Sequence, residues 1–171
     1  MKWGSDLTRP GVVAFAFGVP KTLRSNRLIG EIASAYARAE GALIYTQHDV
    51  PVESGIDVTY IEQQRGEPPP TLRIARAAAL WAKKKHIDHI WIVAAQPHIW
   101  RCERDLLRAF RETGTSIWMD RCREIDAIPI PDSEWFCRES EQERTRSPGQ
   151  WEKRERILRR MPFFIYKRVA S

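Results

Sequence analysis

Apolar residues fall along this chain in two alternating patterns: short continuous runs, and longer stretches with helical spacing. Residues 12–17, Val-Val-Ala-Phe-Ala-Phe, form the first run and end at Gly18. A run this short and this apolar reads as a buried strand. Residues 20–24 read as a loop. Ser25 stands where it can cap a helix reaching Glu40, with Ile29, Ile32, Ala33, Tyr36 and Ala39 at helical spacing. Gly41 stops that helix, residues 42–46 read as a second strand, and residues 57–61 as a shorter third. Pro68, Pro69 and Pro70 bring no backbone N–H donor and form a hard stop. Thr71 is placed to cap the next helix, which runs through Lys85. Its Leu72, Ile74, Ala75, Ala78, Ala79, Trp81 and Ala82 leave few polar positions, so it should pack closely on a sheet. Residues 87–95 give the strongest strand pattern, apolar enough to be central. Pro97 suits the first turn of a helix, and Ile99, Cys102, Leu106, Ala109 and Phe110 then recur at helical spacing up to Gly114. Residues 115–119 predict a further strand.

Strands alternating with helices mean β-α-β units. The expected fold is α/β: three-layer and Rossmann-like, a mostly parallel sheet with helices on both faces. No internal repeat and no second domain is evident, so the expectation is one α/β domain over residues 1–171, with its core within 12–130. The polar stretch 139–149 reads as a mobile loop. A basic C-terminal helix over 148–161 and the apolar ending 163–166 are expected to dock on the body.

Composition narrows the class. The chain has 171 residues, 43% hydrophobic and 29% charged, which describes an ordinary globular protein. Its apolar runs are far shorter than the ~20 residues a membrane span needs. Residues 1–6 lack the apolar stretch of a secretory signal. Cys102, Cys122 and Cys137 are odd in number and form no C-x-x-C, which argues against a disulfide framework or a zinc ribbon. The expected compartment is the cytoplasm.

The formal charge of +6 is uneven, with 10 basic against 6 acidic residues in 134–171. Such a patch attracts nucleic acid, anionic lipid or anionic metabolites. The plainer alternative is a solvated helix face on which Glu152 and Glu155 pair with arginines one turn away. No RNP, KH or helix-turn-helix signature accompanies the basic tail, so nucleic acid is not the expected partner.

In a parallel α/β sheet, ligands bind beyond the carboxyl ends of the strands, where helix N-termini favour anions. Four places qualify: Gly18, residues 46–48, Thr71, and residues 96–101. The last carries the most chemistry. His98 lies in the first helical turn after the strongest strand, and Arg101 follows one turn later on the same face. Together they make a compact phosphate or carboxylate site, and His98 suits general acid or base work near neutral pH. The alternative is a His98 packed on Trp100 and an Arg101 facing water. Gly18 lacks the later glycines of a dinucleotide fingerprint, and there is no P-loop motif. His48 and Asp49 follow the second strand, where they could supply an acid or base, although alone they more often serve as loop polars, while His86 and His89 stand at the opposite end of the sheet. No histidine pair has zinc spacing, so no metal is expected. Cys102 falls on an apolar helical face and reads as a buried thiol.

Several segments resemble the DUF218 family, the YdcF-, SanA- and ElyC-like proteins. Residues 23–28, Leu-Arg-Ser-Asn-Arg-Leu, are similar to the L-x-x-x-R-L opening of that family's first helix, which brings in Arg27. Residues 42–46 sit where the family has its second strand, and Thr71 resembles the threonine of its N-T-x-x-N segment. Residues 92–101, Ile-Val-Ala-Ala-Gln-Pro-His-Ile-Trp-Arg, look like its strand and H-x-x-R motif. The resemblance spans about residues 12–128. Thr46-Gln47-His48 replaces the family's Ser-Gly-Gly. Pro68-Pro69-Pro70-Thr71 replaces an acidic residue and Asn-Thr, Arg76 stands near the second Asn, and the membrane anchor that many members carry is not expected here. The resemblance implies a ligand cleft at the strand ends and nucleotide-like ligands. S-adenosylmethionine, which has been associated with the family, is implied as a cofactor on this ground alone.

The expected function is binding of a small anionic, nucleotide-like ligand, with Gly18, Arg27, Thr46, Thr71 and Arg101 as ligand-binding residues and His98 as the catalytic one if the chain is an enzyme. A non-catalytic binding or scaffold member is the alternative, favoured by the replaced Ser-Gly-Gly and Asn-Thr segments.

Overall fold

The computed structural model describes residues 9–63, 68–127 and 132–170. Residues 1–6, where a signal would begin, and the end of the expected core at 128–130 lie outside them. The described residues hold five strands, β1 (Arg9–Ala14), β2 (Leu43–Thr46), β3 (Val58–Tyr60), β4 (Ile87–Val93) and β5 (Trp118–Arg121). They also hold six α-helices, α1 (Arg24–Glu40), α2 (Thr71–Lys84), α3 (Gln96–Thr113), α4 (Arg123–Ala127), α5 (Pro148–Arg160) and α6 (Phe163–Ala170). The sheet order is β3-β2-β1-β4-β5 and every pair is parallel; Val12 of β1 stands between Ile44 of β2 and Trp91 of β4.

Alternation along β1 divides the core. Val13 and Phe15 face α2 and α3, meeting Ala75, Ala78, Ala79, Cys102 and Leu106. Val12 and Ala14 face the other way, onto Ile29, Ile32 and Ala33 of α1 and Ile125 of α4. Two helical layers therefore enclose one sheet, a three-layer Rossmann-like α/β fold. The chain leaves β1 through α1 on one face and reaches β4 from β3 through α2 on the other. Strand order thus reverses between β1 and β4, which opens a crevice at their carboxyl ends.

Several local expectations change. Ser25 does not cap α1; its hydroxyl donates to the Phe17 carbonyl at 2.9 Å, and the helix begins at Arg24 with Leu23 before it. Thr71 is the first residue of α2 rather than its cap, because Pro70 takes that position and the threonine hydroxyl turns toward α3. β5 begins at Trp118, since the Thr115 amide still closes the end of α3 on the Phe110 carbonyl at 3.0 Å. Residues 139–149 are not a free loop. Ser140 and Thr145 are buried with their hydroxyls 2.7 Å apart, and the Glu141 amide donates to the Val19 carbonyl at 2.8 Å.

The C-terminal helices close over this end of the sheet. Trp151 Nε1 donates to the Pro97 carbonyl at 3.2 Å, and Leu158, Tyr166 and Ala170 pack on Leu72. Of the apolar ending, Tyr166 is buried while Phe164 and Ile165 are exposed. No helix among the described residues is long and apolar enough to cross a membrane.

Candidate functional site

The backbone leaving β1 is held by side chains rather than by a helix cap. Ala16 N–H donates to Gln47 Oε1 at 2.9 Å, Phe17 N–H donates to Asn26 Oδ1 at 2.8 Å, and Asn26 Nδ2 donates back to the Gly18 carbonyl at 3.0 Å. This bend, the starts of α2 and α3, the 140–145 segment and α5 enclose a cavity of about 50 Å3. Its apolar walls include Phe17, Trp151 and the three prolines, and its polar lining includes Gln47, Thr71, His98, Arg101, Arg144 and Arg154.

Pro97 at the start of α3 places His98 in the first turn, its amide donating to Ala95 at 2.8 Å. The imidazole is 6% exposed and packs against the rings of Phe15, Phe17 and Trp151. Its Nε2 is 3.2 Å from Thr71 Oγ1, while Nδ1 is buried without a hydrogen-bond partner among the described residues. Burial first, then the charges of Arg101, Arg144 and Arg154, hold His98 well below its usual 6.5, so the ring is neutral at pH 7.

Arg101 is 4% exposed, one turn along α3, with its guanidinium 5.0 Å from the centre of the Trp151 ring. Its Nη2 lies 3.1 Å from Glu155 Oε1 of α5. The pairing is by proximity alone, because neither Glu155 oxygen nor Arg101 Nε has an aligned hydrogen bond among the described residues. Burial raises the Glu155 carboxyl above its usual range against the pull of Arg101 and Arg154. Arg144 is pushed down to about 10 by burial and by the charges of Arg154 and Arg101. Arg154 is lowered by burial and by Arg101. Among the described residues neither Arg144 nor Arg154 has a hydrogen-bond or ion-pair partner. Three guanidinium groups thus line one small cavity, and among the described residues Glu155 is the carboxylate paired to one of them, a surplus of charged donors of the kind that holds anions.

The structure brings Gly18, Thr71, His98 and Arg101 to this cavity. Arg27 and Thr46 do not reach it. Ser25, Asn26 and Ile29 turn inward on α1, which leaves Arg27 exposed. Thr46 is buried and its hydroxyl donates to the Ala14 carbonyl at 2.9 Å; the neighbouring Gln47 lines the cavity instead. His98 packs on Trp151 and Phe17 rather than Trp100, and Arg101 is buried rather than solvated. His48 stacks on Tyr60, and Asp49 accepts from Gln63 at 3.2 Å, both away from the cavity. No cluster of metal-ligating side chains occurs among the described residues. Cys102 is fully buried, and burial pushes its thiol up, which makes it inert.

Arg144 and Arg154 were not expected at the site, and Glu155, expected on a solvated face of its own helix, is instead buried against Arg101. A signal was present in α5: Trp151, Arg154, Glu155 and Leu158 lie at the spacing of one helical face, so a core-facing stripe carries two charges. No protein-family model matches the chain, and no curated protein matches it.

Proposed function

We propose that this chain is a divergent DUF218-like protein that binds an anionic, nucleotide-like small molecule in the cavity between the ends of β1 and β4. The observation that supports this reading is the convergence of Arg101, Arg144 and Arg154 on one small, partly apolar cavity with Glu155 as their nearby carboxylate. Guanidinium forks hold phosphate or carboxylate oxygens in charge-assisted pairs, and the low-polarity walls strengthen each pair. The position at the reversal of strand order is where doubly wound folds place their ligands.

Catalysis is the further part of the proposal. Once a bound anion offsets the three arginines that, beyond burial, hold the ring neutral, an imidazole tethered to Thr71 and free at its other nitrogen can accept a proton from a bound substrate or an attacking water. A purely binding role is favoured by the wall of Phe15, Phe17 and Trp151 around that ring, which leaves little room for a second reactant.

Thermal denaturation of the full chain with mononucleotides, inorganic phosphate and S-adenosylmethionine tests the binding reading. A ligand at a hundred times its dissociation constant stabilises by about 2.7 kcal/mol. Stabilisation by phosphate-bearing compounds that is lost in Arg154→Gln is the expected result; no shift with any of them would overturn it. For an enzyme, His98→Gln should leave affinity within a few-fold and lower turnover ~100-fold or more.

A further inference from the structure

Resting on the reading of the cavity as an anion site, we infer that the group it takes is a dianionic terminal phosphoryl group, not a carboxylate or a phosphodiester. The ground is charge and size together. Arg101, Arg144 and Arg154 supply three positive charges; Glu155 beside Arg101 supplies one negative, and the nearby Asp105 is matched by its ion pair with Arg104, which leaves two positive charges unmatched. Among the described residues, no aspartate or glutamate lines the cavity itself. The remaining polar side chains of the lining, Gln47, Thr71, Gln142 and Thr145, are uncharged, and the imidazole adds no charge at pH 7.

A phosphate monoester carries about −1.5 to −2 at pH 7 and offers three terminal oxygens. It matches both the charge surplus and the number of guanidinium groups. A carboxylate or a diester brings a single negative charge and two free oxygens. It would leave one guanidinium uncompensated beside the buried Arg101, in a site only partly open to water, and the match would be poorer. The cavity's 50 Å3 exceeds the roughly 10–15 Å3 that one water needs, so it has room for a phosphoryl group, and the rest of a larger ligand would extend through the side open to solvent.

Titration calorimetry of the full chain with methyl phosphate, sulfate, dimethyl phosphate and acetate, at fixed ionic strength, separates the possibilities. Methyl phosphate and sulfate should bind at least ~10-fold more tightly than the two monoanions at pH ~7.5. The methyl phosphate to sulfate affinity ratio should fall about tenfold by pH ~5, because the monoester regains its second proton near pH ~6 while sulfate does not. Arg144→Gln and Arg154→Gln break no hydrogen bond or ion pair among the described residues and should fold; each should narrow the preference for dianions. Equal binding of all four anions would overturn the phosphoryl assignment while leaving an anion site. Binding of none of them would overturn the anion-site reading itself.

Discussion

Arg101 of α3 and Glu155 of α5 meet with Nη2 and Oε1 3.1 Å apart, their side chains 5% and 6% exposed. This contact makes the C-terminal helix a wall of the cavity rather than an appendage. Trp151, one turn earlier in α5, covers the Arg101 guanidinium and His98 and donates to the Pro97 carbonyl. α5 therefore brings a counter-charge, an aromatic lid and a second arginine to the start of α3.

Removing the counter-charge should have opposite effects on stability and on binding. Glu155→Gln leaves three guanidinium groups around the cavity with no carboxylate between them. Loss of one partner of a buried pair costs about 3–5 kcal/mol. The variant should unfold at lower denaturant, bind sulfate more tightly than the parent, and recover part of its stability when sulfate is added. Chemical denaturation with and without sulfate measures both effects. A variant as stable as the parent would show that the pair contributes nothing net.

Gly18 connects the β1 exit to the 140–145 segment. Its φ is +95°, a conformation that side chains disfavour, and an added Cβ would lie 2.7 Å from Leu23 Cδ1, 2.7 Å from Ser140 Oγ and 2.9 Å from Thr145 Oγ1. Gly18→Ala combines backbone strain with overpacking and should cost about 2–3 kcal/mol. Because Arg144 lies within the displaced segment, anion affinity should fall as well. Calorimetric unfolding and sulfate titration of the variant check the two effects together.

How much of this was legible depends on what set each position. The strands and α1 to α3 follow from local apolar runs and from Gly41 and Gly114, both left-handed at φ 63°. His98 and Arg101 were legible because Pro97 fixes where α3 begins. Ser25 and Thr71 are good capping residues by type, yet their hydroxyls serve Phe17 and His98, partners that only the tertiary fold supplies. Arg144 was hidden in a polar stretch that looks unstructured until Ser140, Thr145 and Val19 come together. Arg27 was placed by resemblance, and the inward turn of its neighbours directs it to solvent.

Tyr166 tests whether α6 is fastened or merely adjacent. Its hydroxyl donates to Asp105 Oδ2, while Arg104 Nε and Nη2 reach Oδ1 at 3.1 and 3.0 Å. Asp105 and Tyr166 are both fully buried. Tyr166→Phe keeps the ring and leaves Oδ2 without its donor, which should cost about 1–3 kcal/mol. Hydrogen exchange should then accelerate through α6 more than in β1 and β4. Uniform acceleration across the protein would mean that α6 does not open separately.

The neutral state of His98 fixes the direction of one pH effect. The folded protein holds this ring well below 6.5, whereas the unfolded chain protonates it near that value. The unfolded state therefore takes up an extra proton as the pH falls, so the contribution of His98 to stability is present above pH 6.5 and is lost below it. One such proton corresponds to a slope of up to about 1.4 kcal/mol per pH unit. Glu155 and Asp105 act in the opposite sense. Burial raises both carboxyls in the fold, so each favours the folded state as the pH falls toward its unfolded value. Comparing the parent with His98→Gln cancels those carboxyls and isolates the histidine. The stability gap between them should shift against the parent from pH ~6.5 down to pH ~5. Saturating sulfate should flatten this slope, because a bound anion stabilises the imidazolium against the three arginines. A gap independent of pH would show that His98 titrates normally and is open to water.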